Sequence, residues 1–272
     1  MNCLLSINRK FLGEDPCSLI DLVLSLSDAD GFELNFNYSL PNEKEFATRF
    51  INYAMQKNLI INFHADHTLS ENLQKEYLDY IFALTKNYNK KISVVYHSIF
   101  DENIQKSLEK TKIFFKMLID YCKKMKYDNL VISIENLNEL YKQIRLTKND
   151  ISGYVKNTPD LYMTYDIGHE LFDRIHRNLP YVPLDVSLAK KISNVHIHTF
   201  INDDDHYYIT PTCQYIDFLK GELSSLYKNG YKGDVVLEYG IYFYNDPTVH
   251  EKIISYIKSL NDFRQIFKKF SD

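Results

Sequence analysis

Short β-rich runs recur about every 30 residues along this chain, separated by segments whose apolar residues fall three and four positions apart. Candidate strands cover 3–8, 31–37, 59–65, 91–97, 129–135, 161–166, 192–199 and 234–238. The spacing predicts helices over 18–27, 43–57, 70–88, 103–126, 215–228 and 248–270, with shorter ones over 148–155 and 184–191. Strands that each feed a helix build parallel sheets, and this number of units in 272 residues matches a closed (β/α)8 TIM barrel. An open doubly wound sheet would bring a Gly-rich first turn. With only 8 glycines, the chain contains neither GxGxxG nor GxxxxGK[ST], which argues against dinucleotide and P-loop sites. No linker or shift in composition divides it, so 1–272 reads as one α/β domain.

Composition narrows the function classes. Hydrophobic residues make up 45% and charged residues 25%, values of ordinary globular proteins. A net charge of −4 gives no general surplus of cations for nucleic acid or anionic lipid. Apolar runs such as Leu59-Ile60-Ile61 are far too short to span a bilayer. The N-terminal stretch carries its charges, Arg9 and Lys10, after the apolar residues, the reverse of a signal peptide, so a cytoplasmic location is expected. Cys3, Cys17, Cys122 and Cys213 form no CxxC pair and read as reduced thiols. A metal site would therefore be built from the 9 histidines and 36 acidic residues.

In a TIM barrel the active site gathers where strands end. Here the strands end in Asn62-Phe63-His64, Val95-Tyr96-His97, Ile134-Glu135-Asn136, Tyr165-Asp166-Ile167-Gly168-His169, Val195-His196-Ile197-His198 and Leu237-Glu238. A following loop adds Asp203-Asp204-Asp205-His206. One such group is commonly a surface residue or a helix cap. The ordered set carries more weight. Glu135 and Glu238 follow mainly apolar residues, where a carboxylate is costly unless paired or metal-bound. Gly168 lets the chain turn so that Asp166 and His169 face one centre, and His196 and His198 share a strand face. His67, His176 and His250 lack such partners and read as surface residues, and Tyr207, Tyr208 and Tyr242-Phe243-Tyr244 as packing or as walls of a pocket.

The order His64, His97, Glu135, Asp166-x-x-His169, His196, Asp204-x-His206, Glu238 resembles the xylose isomerase-like TIM-barrel superfamily, which includes endonuclease IV and many sugar isomerases and epimerases. The resemblance spans nearly the whole chain. It implies a metal centre bridged by Glu135, with Glu135, Asp166, His196 and Glu238 as the shared ligands. In the sugar branch one metal chelates two sugar oxygens while glutamates move a proton at carbon. In the endonuclease IV branch His64 and His97 would hold a second metal with Glu135, and His169, Asp204 and His206 a third. The chain departs from both branches. Ser98-Ile99-Phe100 and Ile167-Gly168 stand where endonuclease IV has Pro-Gly-Ser and Thr-Cys. A residue near Asn202 replaces the substrate arginine of ketose 3-epimerases, and Tyr141 replaces a glutamate.

These features lead to a first expectation: an isomerase or epimerase of a small sugar, sugar phosphate or polyol that stabilises an enediolate. It would use one to three divalent ions among Zn, Mn, Mg, Co and Fe, with Glu135 and Glu238 as acid and base on opposite faces of the reacting carbon. The alternative is a multinuclear phosphoester hydrolase, with nucleic acid disfavoured as its substrate by the charge balance but not excluded. A third is an inactive barrel that binds carbohydrate or protein. No membrane partner is expected, and a homo-oligomer is compatible with the sequence.

Overall fold

The computed structural model describes residues 1–7, 15–138, 146–176, 182–201, 204–207, 209–239 and 249–267. Parallel strands β1 (Asn2–Ile7), β2 (Gly31–Asn35), β3 (Ile60–His64), β4 (Ile92–Tyr96), β5 (Leu130–Glu135), β6 (Leu161–Asp166), β7 (Ile192–Ile197) and β10 (Asp234–Leu237) close into a barrel. Each strand pairs with its sequence neighbour, and β10 pairs with both β7 and β1 to complete the ring. Around it lie α1 (Pro16–Leu26), α2 (Pro41–Gln56), α3 (Glu71–Thr85), α4 (Ile104–Met125), α5 (Lys148–Asn157), α6 (Ile167–His176), α7 (Val186–Ala189), α8 (Ile216–Lys228) and α9 (Val249–Phe267). The expected (β/α)8 barrel is the fold observed.

Local chemistry sets where helices begin. Asp15 accepts from Ser18 N at 2.9 Å with Pro16 at the first helical position of α1. Asn103 caps α4 through Gln105 N at 2.8 Å, and Thr147 with Asp150 forms a capping box on α5. The capped helices lay their apolar faces on the outside of the barrel, where Phe32, Phe50, Phe63, Tyr77, Phe115 and Phe263 are buried in one core.

The lumen differs from that core. TIM-barrel interiors are usually filled by branched apolar side chains. Here the buried apolar cluster of Leu4, Ile60 and Val236 is small and separate from the main core. Buried polar side chains lie on neighbouring strands: Ser133 Oγ is 2.8 Å from Thr164 Oγ1, which donates to Asn194 Oδ1 at 2.7 Å. Each polar atom placed there needs such a partner, because burial strips it of water.

Two local expectations are corrected. The segment around Asp204 and His206, read as a loop, is instead one arm of an antiparallel ribbon, β8 (Thr199–Ile201) with β9 (Asp204–Tyr207). Left-handed backbone at His206, φ 60°, accompanies it, a conformation the residue pattern does not announce. Gly168 has no left-handed φ and lies in the first turn of α6, which starts directly after Asp166, so its role is not to reverse the chain. All four cysteines are free, with Cys3 and Cys122 buried and their thiols pushed up by burial to about 12.

Candidate metal centre

Closing the barrel brings the polar strand ends to one mouth. Glu135, at the end of β5, is the hub. Its Oε2 lies 3.1 Å from His64 Nε2 and 3.4 Å from His97 Nε2, and its Oε1 lies 3.4 Å from His169 Nδ1 and 3.7 Å from His196 Nδ1. His196 Nδ1 also meets Glu238 Oε2 at 2.6 Å. Burial opposes ionisation of Glu135, yet the His196 charge and hydrogen bonds from His196, His64 and His97 hold its carboxyl well below the usual carboxylate range. For Glu238 and Asp166 the histidines likewise outweigh burial and lower the pKa. Burial alone would lower His196, and Glu33, Glu238 and Glu135 together raise it well above its ordinary value.

A second group adjoins the first. Asp166 Oδ1 is 3.2 Å from His198 Nε2, and the imidazoles of His198 and His206 stack with centroids 4.1 Å apart. His169 stands edge-on to both, at 5.1 and 5.3 Å. Asn136 organises this side: its side-chain amide brackets the Asp166 backbone at 2.8 and 2.9 Å, and its backbone carbonyl accepts from His169 Nδ1 at 2.9 Å. Burial lowers the pKa of His169, so its ring stays neutral, as a ligand requires.

The donor set fits a divalent cation. Glu135, Asp166, His196 and Glu238 offer ligand atoms within 4.8 Å of one another; so do Asp166, His169, His198 and His206, and also His64, His97 and Glu135. Buried Glu135 Oε1, Asp166 Oδ2, His196 Nδ1, His198 Nε2 and Glu238 Oε2 have no hydrogen-bond partner outside the residues of this group. Polar atoms this deeply buried are almost always satisfied, so their convergence marks a place for a positive charge. These carboxylate and imidazole donors suit borderline and hard cations.

His64, His97, Glu135, Asp166, His169, His196, His206 and Glu238 therefore meet at one mouth. Asp204 lies on β9, but its side chain is outside the described residues, as are Asp203, Tyr208 and Tyr242-Phe243-Tyr244. His67, read as an isolated surface residue, instead packs against His97 and Phe100 with centroids at 5.2 and 5.4 Å. It lines a 260 Å³ pocket with Asn35, Asn37, His64, Asp66 and His97. A larger cavity of 530 Å³ opens where the strands begin, among Lys91, Lys123, Asp160 and Asp234, on the face that serves stability in TIM barrels.

Two residues are absent from the sequence-derived set of candidate ligands. His198 points to the same mouth as His196 but joins the neighbouring group, two residues farther along the chain. Glu33 is fully buried in β2 and lies 2.9 Å from His196 Nε2. Its signal was present: a carboxylate between Phe32 and Leu34 is as costly as Glu135 among its isoleucines.

No protein-family model matches the sequence, and no curated protein matches it. Solved structures do. The IOLI protein with a binding zinc atom superposes with a TM-score of 0.67 at 16% identity, covering 98% of this chain and 99% of that one. Escherichia coli 3-keto-D-glucoside 4-epimerase, YcjR, gives 0.66 at 16% identity over 97% and 99%. A xylose isomerase domain protein from Alicyclobacillus acidocaldarius gives 0.66 at 13% identity over 99% and 100%. Near-complete coverage in both directions at such low identity establishes the architecture: the chain has the fold of xylose isomerase-like TIM-barrel proteins.

Proposed function

We propose that the chain is a divalent-metal-dependent isomerase or epimerase of a small sugar, sugar phosphate or polyol. The observation that carries this reading is the convergence of Glu135, Asp166, His196 and Glu238, with ligand atoms within 4.8 Å of one another at the barrel mouth. Similarity to a zinc-containing protein and to sugar epimerases of the same fold supports it.

When bound, the cation would supply Lewis-acid polarisation of a carbonyl and its neighbouring hydroxyl, which eases loss of the proton from the hydroxyl-bearing carbon. Glu135 and Glu238 act at that carbon as base and acid. Both carboxyls have lowered pKa values, so either can serve as the base, while its partner must take up a proton before it serves as the acid. Glu238 is the more accessible, 17% exposed against 1% for Glu135. A proton delivered by the partner carboxyl to the opposite face of the same carbon gives epimerisation and leaves the base protonated; return of the abstracted proton by the base to the adjacent carbon gives isomerisation. Asn35, Asn37 and His67, which line the pocket beside His64, offer donors and acceptors for hydroxyl groups.

The test is metal content by inductively coupled plasma mass spectrometry on wild type, His64→Ala and His206→Ala, with deuterium uptake from heavy water into a panel of ketoses and ketose phosphates. One equivalent retained by both variants, with exchange at carbon, is the expected result. Two or three equivalents, each variant losing about one, would redirect the assay to phosphoester hydrolysis. No metal under any loading condition would overturn both enzymatic readings.

A further inference from the structure

We propose that Glu33 is a positioning residue for the metal centre, holding the His196 imidazole with Nε2–H donated to its carboxylate and Nδ1 aimed at Glu135 and Glu238. This role rests on the metal-dependent reading of the site. The geometry is two-sided. Glu33 Oε1 and Oε2 lie 2.9 and 3.1 Å from Nε2, while Nδ1 faces Glu238 Oε2 at 2.6 Å and Glu135 Oε1 at 3.7 Å. An imidazole has two ring nitrogens, and committing one as donor to a carboxylate leaves the other as the lone pair for a ligand.

Glu33 is itself held in place. Asn194 Nδ2 donates to its Oε2 at 3.0 Å, Thr164 Oγ1 donates to Asn194 Oδ1 at 2.7 Å, and Thr164 meets Ser133 at 2.8 Å. Side chains from β2, β5, β6 and β7, all fully buried, thus form one chain of hydrogen bonds beneath His196. A lumen packed only for stability would favour apolar residues here, since replacing buried ions by well-packed apolar groups is often neutral or stabilising. The polar ladder makes physical sense as support for a ligand whose ring orientation matters. Carboxylate partners of metal-bound histidines change metal affinity by about 10–100-fold.

The experiment measures Zn²⁺ affinity of the full chain by chelator competition for wild type, Glu33→Leu and Glu33→Gln, with ¹⁵N spectra of the histidine side chains in the zinc-loaded proteins. Glu33→Leu should weaken zinc by about 10–100-fold and move the His196 Nε2–H signal. In Glu33→Gln the side-chain carbonyl still accepts from Nε2–H, so the signal should persist while loss of the anion weakens zinc by about tenfold. If Glu33→Leu does not fold, Glu33→Gln decides, and affinity equal to wild type in that variant overturns the proposal. Wild-type affinity and unchanged ¹⁵N shifts in a folded Glu33→Leu overturn it too. A wild-type chain that takes up no zinc overturns the metal centre and this role together, whereas zinc bound equally by all three proteins overturns this role alone.

Discussion

Gly168 lies directly against the imidazole of His198: a Cβ added to it would sit 2.5 Å from Nδ1 and closer still to Cε1 and Nε2. The first turn of α6 and the end of β7 approach this closely because Asp166, at the end of β6, reaches His198 Nε2 at 3.2 Å. The glycine is thus a clearance for a ring in the centre. Gly168→Ala should displace His198, remove its contact with Asp166, and so weaken retention of the metal that Glu135, Asp166, His196 and Glu238 would hold by about tenfold. Metal titration followed by chelator competition checks this; retention equal to wild type in a folded variant contradicts it.

Glu135 contacts more of the centre than any other candidate ligand described above, so its neutralisation should be the most damaging single change. Glu135→Gln preserves size but removes the anion facing His64, His97, His169 and His196. Turnover on whichever sugar shows carbon exchange should fall by about 10²–10⁴-fold. Should carbohydrate binding persist unchanged in a variant of a chain that never turns over, the barrel is a binding protein.

Metal-free protein should lose stability as the solution becomes alkaline. Burial by itself would lower the His64 pKa, and the hydrogen bond and charge of Glu135 raise it from 6.5 to about 9. A raised pKa stabilises the fold while the ring is protonated, so the contribution is complete below pH 6.5 and is lost as the pH rises to about 9. The shift corresponds to about 3 kcal/mol at most. Urea melts in the presence of chelator across this interval should show the fall, and Glu135→Gln should flatten it. Zinc competes with the same proton, so its affinity should rise where the metal-free fold weakens.

Lys148 anchors the start of α5 from inside the protein. Its Nζ lies 2.7 Å from Glu170 Oε1 on α6 and donates to Val182 O at 2.8 Å, with the lysine 3% and the glutamate 12% exposed. Lys148→Met keeps the stem but leaves the Glu170 carboxylate without its buried cation, a change that costs about 3–5 kcal/mol. Chemical denaturation measures it; a loss under about 1 kcal/mol would show that water reaches Glu170 freely.

The sequence by itself determined the architecture and marked most of the residues that converge at the barrel mouth. Alternating β-rich and helical periods gave the eight parallel units, and polar residues ending apolar strands marked His64, His97, Glu135, Asp166, His169, His196 and Glu238, with His206 in the segment after the seventh strand. Periodicity states which face of a strand a side chain takes. It does not state which other face it meets. Only closure of the barrel brought Glu33 of β2 against His196 of β7, 163 positions later, and turned an isolated buried carboxylate into part of the centre. Tertiary structure likewise divided two neighbouring histidines of one strand face, sending His196 to Glu135 and Glu238 and His198 to Asp166, and made Gly168 a matter of clearance. The physical reason is that a carboxylate or imidazole acquires its role from charges a few ångströms away, and those distances are set by strand pairing across the whole chain.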